Sequence, residues 1–197
     1  MPKLDFWYEF ASTYSYPAAM RIEPLAEAAG IEVAWRPFLL GPIFRAQGWE
    51  TSPFNLQAAK GKYMWRDLAR LCEDAELPPF RQPRNFPLNS LLAARVALAL
   101  DDTERPGFSR AVYLAEFSEG KDIGDGEVIA GILSQLGHDA DPLLAKAGEQ
   151  AIKDKLRANT EEAQQLGIFG APTFVLANGE MFWGNDRLEQ ALKWAKK

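Results

Sequence analysis

A chain of 197 residues has room for one large domain, or for a smaller domain carrying an insertion. Its 47% hydrophobic and 25% charged content excludes disorder as the main state, and a formal charge of −5 without a long basic run argues against a nucleic-acid partner. A single cysteine, Cys72, and a single histidine, His138, exclude an intrachain disulfide, a Cys₄ or Cys₂His₂ zinc site, and any histidine triad that does not use His138; no metal is expected.

The first residues, Met1-Pro2-Lys3, lead into a stretch broken by Asp5 and Glu9, which does not read as an export signal. No window of membrane-spanning length is free of charge. With one thiol, these features predict a reducing, cytoplasmic setting and no membrane partner. Residues 4–10 are aromatic-rich and loosely alternating, which predicts a strand. After Ser12-Thr13-Tyr14-Ser15, a helix is predicted from Pro17 to Ala29, with Pro17 in its first turn and Gly30 as C-cap. Residues 31–36 alternate cleanly and predict a second strand, so the chain opens β-α-β.

From about 54 to 166 the pattern is helical, with amphipathic stretches near 55–76, 87–101, 106–119, 125–137, 140–149 and 151–166. Pro78-Pro79, Pro83, Pro106 and Gly137 punctuate them. Strand character returns at Thr173-Phe174-Val175-Leu176, and Asn178-Gly179 signals a hairpin into Glu180-Met181-Phe182-Trp183. Asp186-Arg187 then opens a last helix. The order is that of an α/β fold: a thioredoxin-like β-α-β / β-β-α domain (residues 1–53 and 167–197) with a large all-helical insertion (54–166).

Three segments could carry chemistry. The turn Ser12-Thr13-Tyr14-Ser15 lies at a helix N-terminus, where free N–H groups favour an anion. In a thioredoxin-like layout a C-x-x-C pair would sit there, but with no cysteine the turn cannot perform dithiol exchange. A serine could instead donate to a thiolate brought by another molecule; the plainer reading is that Ser12 or Ser15 caps the helix. In Gly170-Ala171-Pro172-Thr173, a cis proline entering a strand would expose the backbone of Ala171 to an extended peptide, whereas a trans proline would simply mark the strand's start. In Trp183-Gly184-Asn185-Asp186-Arg187-Leu188, Asn185 or Asp186 could cap the last helix or hold a charged end of a small peptide. Cys72, on an apolar helical stretch, reads as a buried inert thiol, and His138, in a polar turn, as a solvated helix-end residue.

Phe10-Ala11-Ser12-Thr13-Tyr14-Ser15-Tyr16, Phe169-Gly170-Ala171-Pro172-Thr173-Phe174 and Trp183-Gly184-Asn185-Asp186-Arg187-Leu188 together resemble the 2-hydroxychromene-2-carboxylate isomerases. These are relatives of kappa-class glutathione transferases in the DsbA-like thioredoxin superfamily, and the resemblance runs over essentially the whole chain. It implies glutathione as cofactor, a homodimer, and an aromatic-degradation intermediate as small-molecule substrate. It implies that Ser12 bonds the glutathione sulfur, that Pro172 is cis, that the Ala171 backbone pairs with the cysteinyl unit, and that Asn185 and Asp186 hold the γ-glutamyl end. Lys60 falls in a region that helps bind the tripeptide. Asn89 and Arg95 belong to a family-like stretch beside the cleft. Arg84, Arg95 or Lys60 could hold the substrate carboxylate. The chain departs from the family pattern with Thr13 in place of a common proline, and with Trp49 where an asparagine often contributes to the pocket. Trp49 is thereby a candidate for the second-substrate side. Glutathione transfer to other substrates, and a non-catalytic peptide-binding module, are the competing expectations.

Overall fold

The computed structural model describes residues 1–197. Strand β1 (Lys3–Tyr8) leads through helix α1 (Ser15–Ala29) to β2 (Glu32–Pro37). Seven helices follow: α2 (Leu40–Ala46), α3 (Pro53–Leu56), α4 (Ala58–Asp74), α5 (Leu91–Ala99), α6 (Arg105–Phe117), α7 (Gly126–Gln135) and α8 (Ala140–Ala147). An eighth, α9 (Gln150–Gln165), precedes β3 (Thr173–Leu176), β4 (Met181–Trp183), a single 3₁₀ turn (Asn185–Arg187) and α10 (Leu188–Trp194). The sheet order is β2-β1-β3-β4, parallel between β1 and β2 and antiparallel elsewhere.

β1 lies between two other strands and is buried on both faces, which is why its apolar pattern is nearly continuous. Leu4, Phe6 and Tyr8 join one large core that runs through α1, α5, α6 and α10. Trp7 points the other way, into a small cluster with Phe38, Ile43, Ala163, Ile168 and Val175. The helical block shares the sheet's own core, so α5 and α6 form the floor beneath the β1–α1 turn. Arg105 locks that floor: its buried guanidinium donates to the carbonyls of Ala97 (2.7 Å), Trp35 and Leu100 (3.3 Å each), closing the C-terminal end of α5 onto β2.

The predicted boundaries shift for identifiable reasons. β1 ends at Tyr8, because the Glu9 carbonyl is taken by the Ser12 N–H in a turn (3.0 Å). α1 starts two residues before Pro17, and Gly30 ends it at φ 68°, the left-handed conformation that a glycine adopts without strain. The predicted helix 55–76 divides at Gln57, whose backbone is extended. The predicted helix 87–101 begins only at Leu91, whose N–H is taken by Asn89 Oδ1 in the turn before it. α2 lies outside the predicted elements; Gly41 and Pro42 fall in its first turn, where a proline loses no helical hydrogen bond.

Candidate active site

The antiparallel register of β1 with β3 places Trp7 opposite Thr173, so the residues after β1 face those before β3. This brings the turn at Ser12 against the Ala171–Pro172 junction, whose peptide bond is cis. Ser12 Oγ donates to the Ala171 carbonyl at 2.9 Å. Neither Ser12 nor Ser15 caps α1 through its side chain, which corrects the capping reading. The first turn is closed by backbone bonds from Ser15 N to Ser12 O (3.1 Å) and from Tyr16 N to Thr13 O (3.2 Å), while the N–H groups of Thr13 and Tyr14 have no backbone acceptor. Without an acceptor at the entry to a helix, such groups suit negative charge. The Ala171 N–H likewise has no backbone acceptor, so this half-buried residue presents an unpaired donor beside its carbonyl.

Helix α4 forms one wall. Thr13 Oγ1 donates to Met64 Sδ (3.1 Å), and Tyr14 Oη donates to Asp67 Oδ2 (3.0 Å). Burial first, then the Asp67 and Asp186 carboxylates, hold the Tyr14 phenol well above its usual range. Asp67 is in direct contact with the phenol, and Asp186 adds to the negative field on it. The exposed Lys60 ammonium stands 5.6 Å from the Phe54 ring, which lies 6.1 Å from the ring of Tyr14. The sequence reading missed Asp67, although it stands seven residues after Lys60, two helical turns along α4 on the same side.

The segment after β4 forms the opposite wall. Gly184 has φ 109°, and a Cβ there would meet Asp186 Oδ1 at 2.6 Å, so glycine is required. Asn185 is buried, and its Oδ1 accepts from Arg21 Nη1 on α1 (3.1 Å). Asp186 is exposed. Neither side chain caps the 3₁₀ turn or α10, which corrects the capping reading at this end too. Phe169 and Trp183, 44% and 52% exposed, pack with their rings tilted 60° and centroids 4.9 Å apart beside Gly170.

The structure thus brings Ser12, Ala171, Pro172 and the Tyr14 cluster together, with Lys60 and Asp186 at its edge. The remaining candidates have other surroundings. Asn89 is engaged locally at the start of α5, Trp49 leans on Phe44 (5.7 Å), and Arg84 is exposed. Arg95 is half-buried on α5, with a buried Nε that has no acceptor. Cys72 is buried, which pushes its thiol up to about 11 and makes it a poor nucleophile. His138 is partly covered rather than freely solvated, with Nδ1 3.8 Å from Glu104. A cleft of 280 Å³ lined from α6 and α7 contains none of these residues.

Comparison with known proteins bears directly on this geometry. Residues 3–194 match the DSBA-like thioredoxin domain. The chain belongs to the DsbA-like thioredoxin family. Among its relatives is a 2-hydroxychromene-2-carboxylate isomerase from Sphingobium xenophagum, 31% identical over 188 residues that cover 94% of each chain. A kappa 2 glutathione S-transferase from Caenorhabditis elegans is 28% identical over 201 residues, covering 95% of this chain and 88% of that one. A solved 2-hydroxychromene-2-carboxylate isomerase superposes with a TM-score of 0.88 at 26% identity, over 98% of this chain and 94% of the other. The relatives are thus isomerases and glutathione transferases, built on the fold expected from the sequence. No helix is long and apolar enough to cross a membrane.

Proposed function

We propose that the protein binds glutathione at the Ser12 turn and uses it to isomerise 2-hydroxychromene-2-carboxylate or a related aromatic-degradation intermediate. The observation that carries this reading is the 2.9 Å bond from Ser12 Oγ to the Ala171 carbonyl. It brings a hydroxyl donor beside the Ala171 backbone, whose N–H is unpaired, and close to the unpaired N–H groups at the start of α1. A short peptide laid along Ala171 would take its carbonyl and N–H in strand fashion and release the Ser12 hydroxyl. The residues fit the tripeptide's charges: Lys60 offers a cation for a carboxylate, while Asp186 and Asp67 offer anions for the γ-glutamyl amine. Asn185, held by Arg21, fixes the loop that presents Asp186. When bound, glutathione supplies the sulfur nucleophile whose reversible addition to a conjugated double bond lets that bond rotate.

Ser12 is the proposed catalytic residue: its hydroxyl and the Thr13 and Tyr14 N–H groups favour the thiolate over the thiol. Arg95, whose Nε lacks an acceptor, and the exposed Arg84 are the proposed cations for the second substrate's carboxylate. Asn89 and Trp49 belong to the same proposed side, although their contacts here are local. A homodimer and a cytoplasmic setting complete the reading. The kappa-class relatives support a second reading, glutathione transfer to an electrophile at the same turn.

Thermal unfolding tests the shared part. Glutathione at about a hundredfold its Kd should add about 2.7 kcal/mol, or roughly 5–10 °C in Tm for a chain of this size. No shift at millimolar glutathione would overturn both readings. Following a hydroxychromene carboxylate by ultraviolet absorbance then separates them, since only the isomerase converts it without consuming glutathione.

A further inference from the structure

Beneath the Ser12 turn lie two carboxyl groups for which the reaction has no use. Glu9 follows β1 directly and is 6% exposed, and Glu116 of α6 is wholly buried. Both Glu116 carboxyl oxygens lack any hydrogen-bond partner. Glu9 sits at a junction. Its side chain accepts from the hydroxyl of Ser90, at the entry to α5. Its carbonyl accepts from both the Ser12 N–H (3.0 Å) and the Tyr113 hydroxyl (2.9 Å). One residue therefore ties the turn to α5 through its side chain and to α6 through its backbone.

No cation compensates these carboxyls. Around them stand Tyr8 of β1, Ser15 of α1, Ser90 at the entry to α5, Ser109 and Tyr113 of α6, and Asp122 from the loop after α6. Arg105 approaches Tyr8, but its guanidinium is taken by three carbonyls and Asp102, and Lys121 Nζ pairs with Glu119. An uncompensated buried charge is far more costly than a neutral carboxyl, so such a group keeps its proton.

We propose that Glu9 and Glu116 are a proton-retaining pair, and that Glu9 is a positioning residue that joins the Ser12 turn to the helical block only while it keeps its proton. Its bearing on thiol binding rests on the glutathione reading; the clamp itself does not. Ionising Glu9 strengthens the Ser90 bond but leaves a charge without a cation in a nearly dry pocket beside a second acid, and water must enter to solvate it. The junction between α5 and the turn then opens, and the Ser12 hydroxyl loses its aim at Ala171. Burial, outweighing the Ser90 bond, pushes the Glu9 carboxyl up to about 7, and burial with the nearby Glu9 and Asp122 charges raises Glu116 further. Because the folded-state value is raised, this stability is present at acid pH and is lost as pH climbs through about 7.

The test compares wild type with Glu9→Gln, which keeps an acceptor for Ser90 but cannot ionise. Thermal unfolding of the ligand-free protein, and binding of S-methylglutathione, whose sulfur does not titrate, are followed from about pH 5 to about pH 8. Wild-type Tm should fall across this range, and its Kd should rise by up to about tenfold as the protonated fraction drops to about a tenth. In Glu9→Gln both profiles should be much flatter, and Glu9→Ala should bind weakly at every pH. A role in packing alone would shift Kd equally at both ends of the range. Should Glu9→Gln fail to fold, Glu9→Met, which is of similar length and also cannot ionise, carries the same comparison. Equal pH dependence in wild type and the glutamine variant would overturn the proposal. Absence of S-methylglutathione binding at any pH would instead remove the glutathione reading, leaving the ligand-free melts to decide the clamp.

Discussion

Replacing Ser12 by alanine deletes one hydroxyl donor and little else, since the side chain is small, half-buried and not a cap. Released from the Ala171 carbonyl by a bound peptide, that hydroxyl makes a neutral hydrogen bond to the protonated thiol, worth about 1 kcal/mol net. With a thiolate in place it would instead make a charge-assisted bond, worth about 1.5–3 kcal/mol. The difference of about 1 kcal/mol falls short of a full pKa unit, which corresponds to 1.36 kcal/mol. Bound glutathione in Ser12→Ala should therefore hold its thiol just under about one unit higher than in wild type. The Thr13 and Tyr14 N–H groups remain in the variant and keep part of the depression. Titrating the ultraviolet absorbance of the thiolate in the two complexes measures this directly. Coincident titration curves, with binding intact, would refute the argument.

Two further outcomes follow from packing. In Gly170→Ala the new Cβ would stand 2.5 Å from Trp183 Nε1. Tm should fall by the equivalent of about 1 kcal/mol, the low end for overpacking because Trp183 is half exposed and can swing off Phe169; an unchanged Tm would contradict this. Cys72 should react with thiol reagents only at the rate of unfolding, because it is buried and its thiol stays protonated. Prompt labelling of the native protein would overturn its assignment as inert.

Local chemistry made much of the fold readable in the sequence. Gly30 ends α1 because the chain needs a left-handed residue there, and Asn178-Gly179 turns β3 back into β4; both signals act within a few residues. The strand at Thr173–Leu176 matches its predicted span, since proline and the hairpin turn delimit it on either side. The candidate site is legible only where it coincides with such punctuation. Ser12 and Ala171 are marked by a helix start and a strand start, but nothing local states that one bonds the other. Asp67 is hidden because a carboxylate on an amphipathic helix reads as an ordinary solvated face. Glu9 and Glu116 are hidden for the opposite reason, as acids in strand and helix patterns whose burial depends on where α5 and α6 come to rest. The two capping readings failed at the same kind of place. Ser12 and Asn185 are good capping residues, but tertiary partners, Ala171 and Arg21, engage their side chains instead.

The bond between Ser12 and Ala171 spans 159 positions along the chain. Its two halves lie on either side of the helical block, so one is synthesised well before the other. During synthesis the opening β-α-β unit and the helices after it can gather while β1 still has an open edge, waiting for β3. Ser12 is then a hydroxyl on an unfinished turn, with no strand beside it along which a peptide could lie. The groove proposed at Ser12 therefore comes into being only when the closing hairpin docks beside β1.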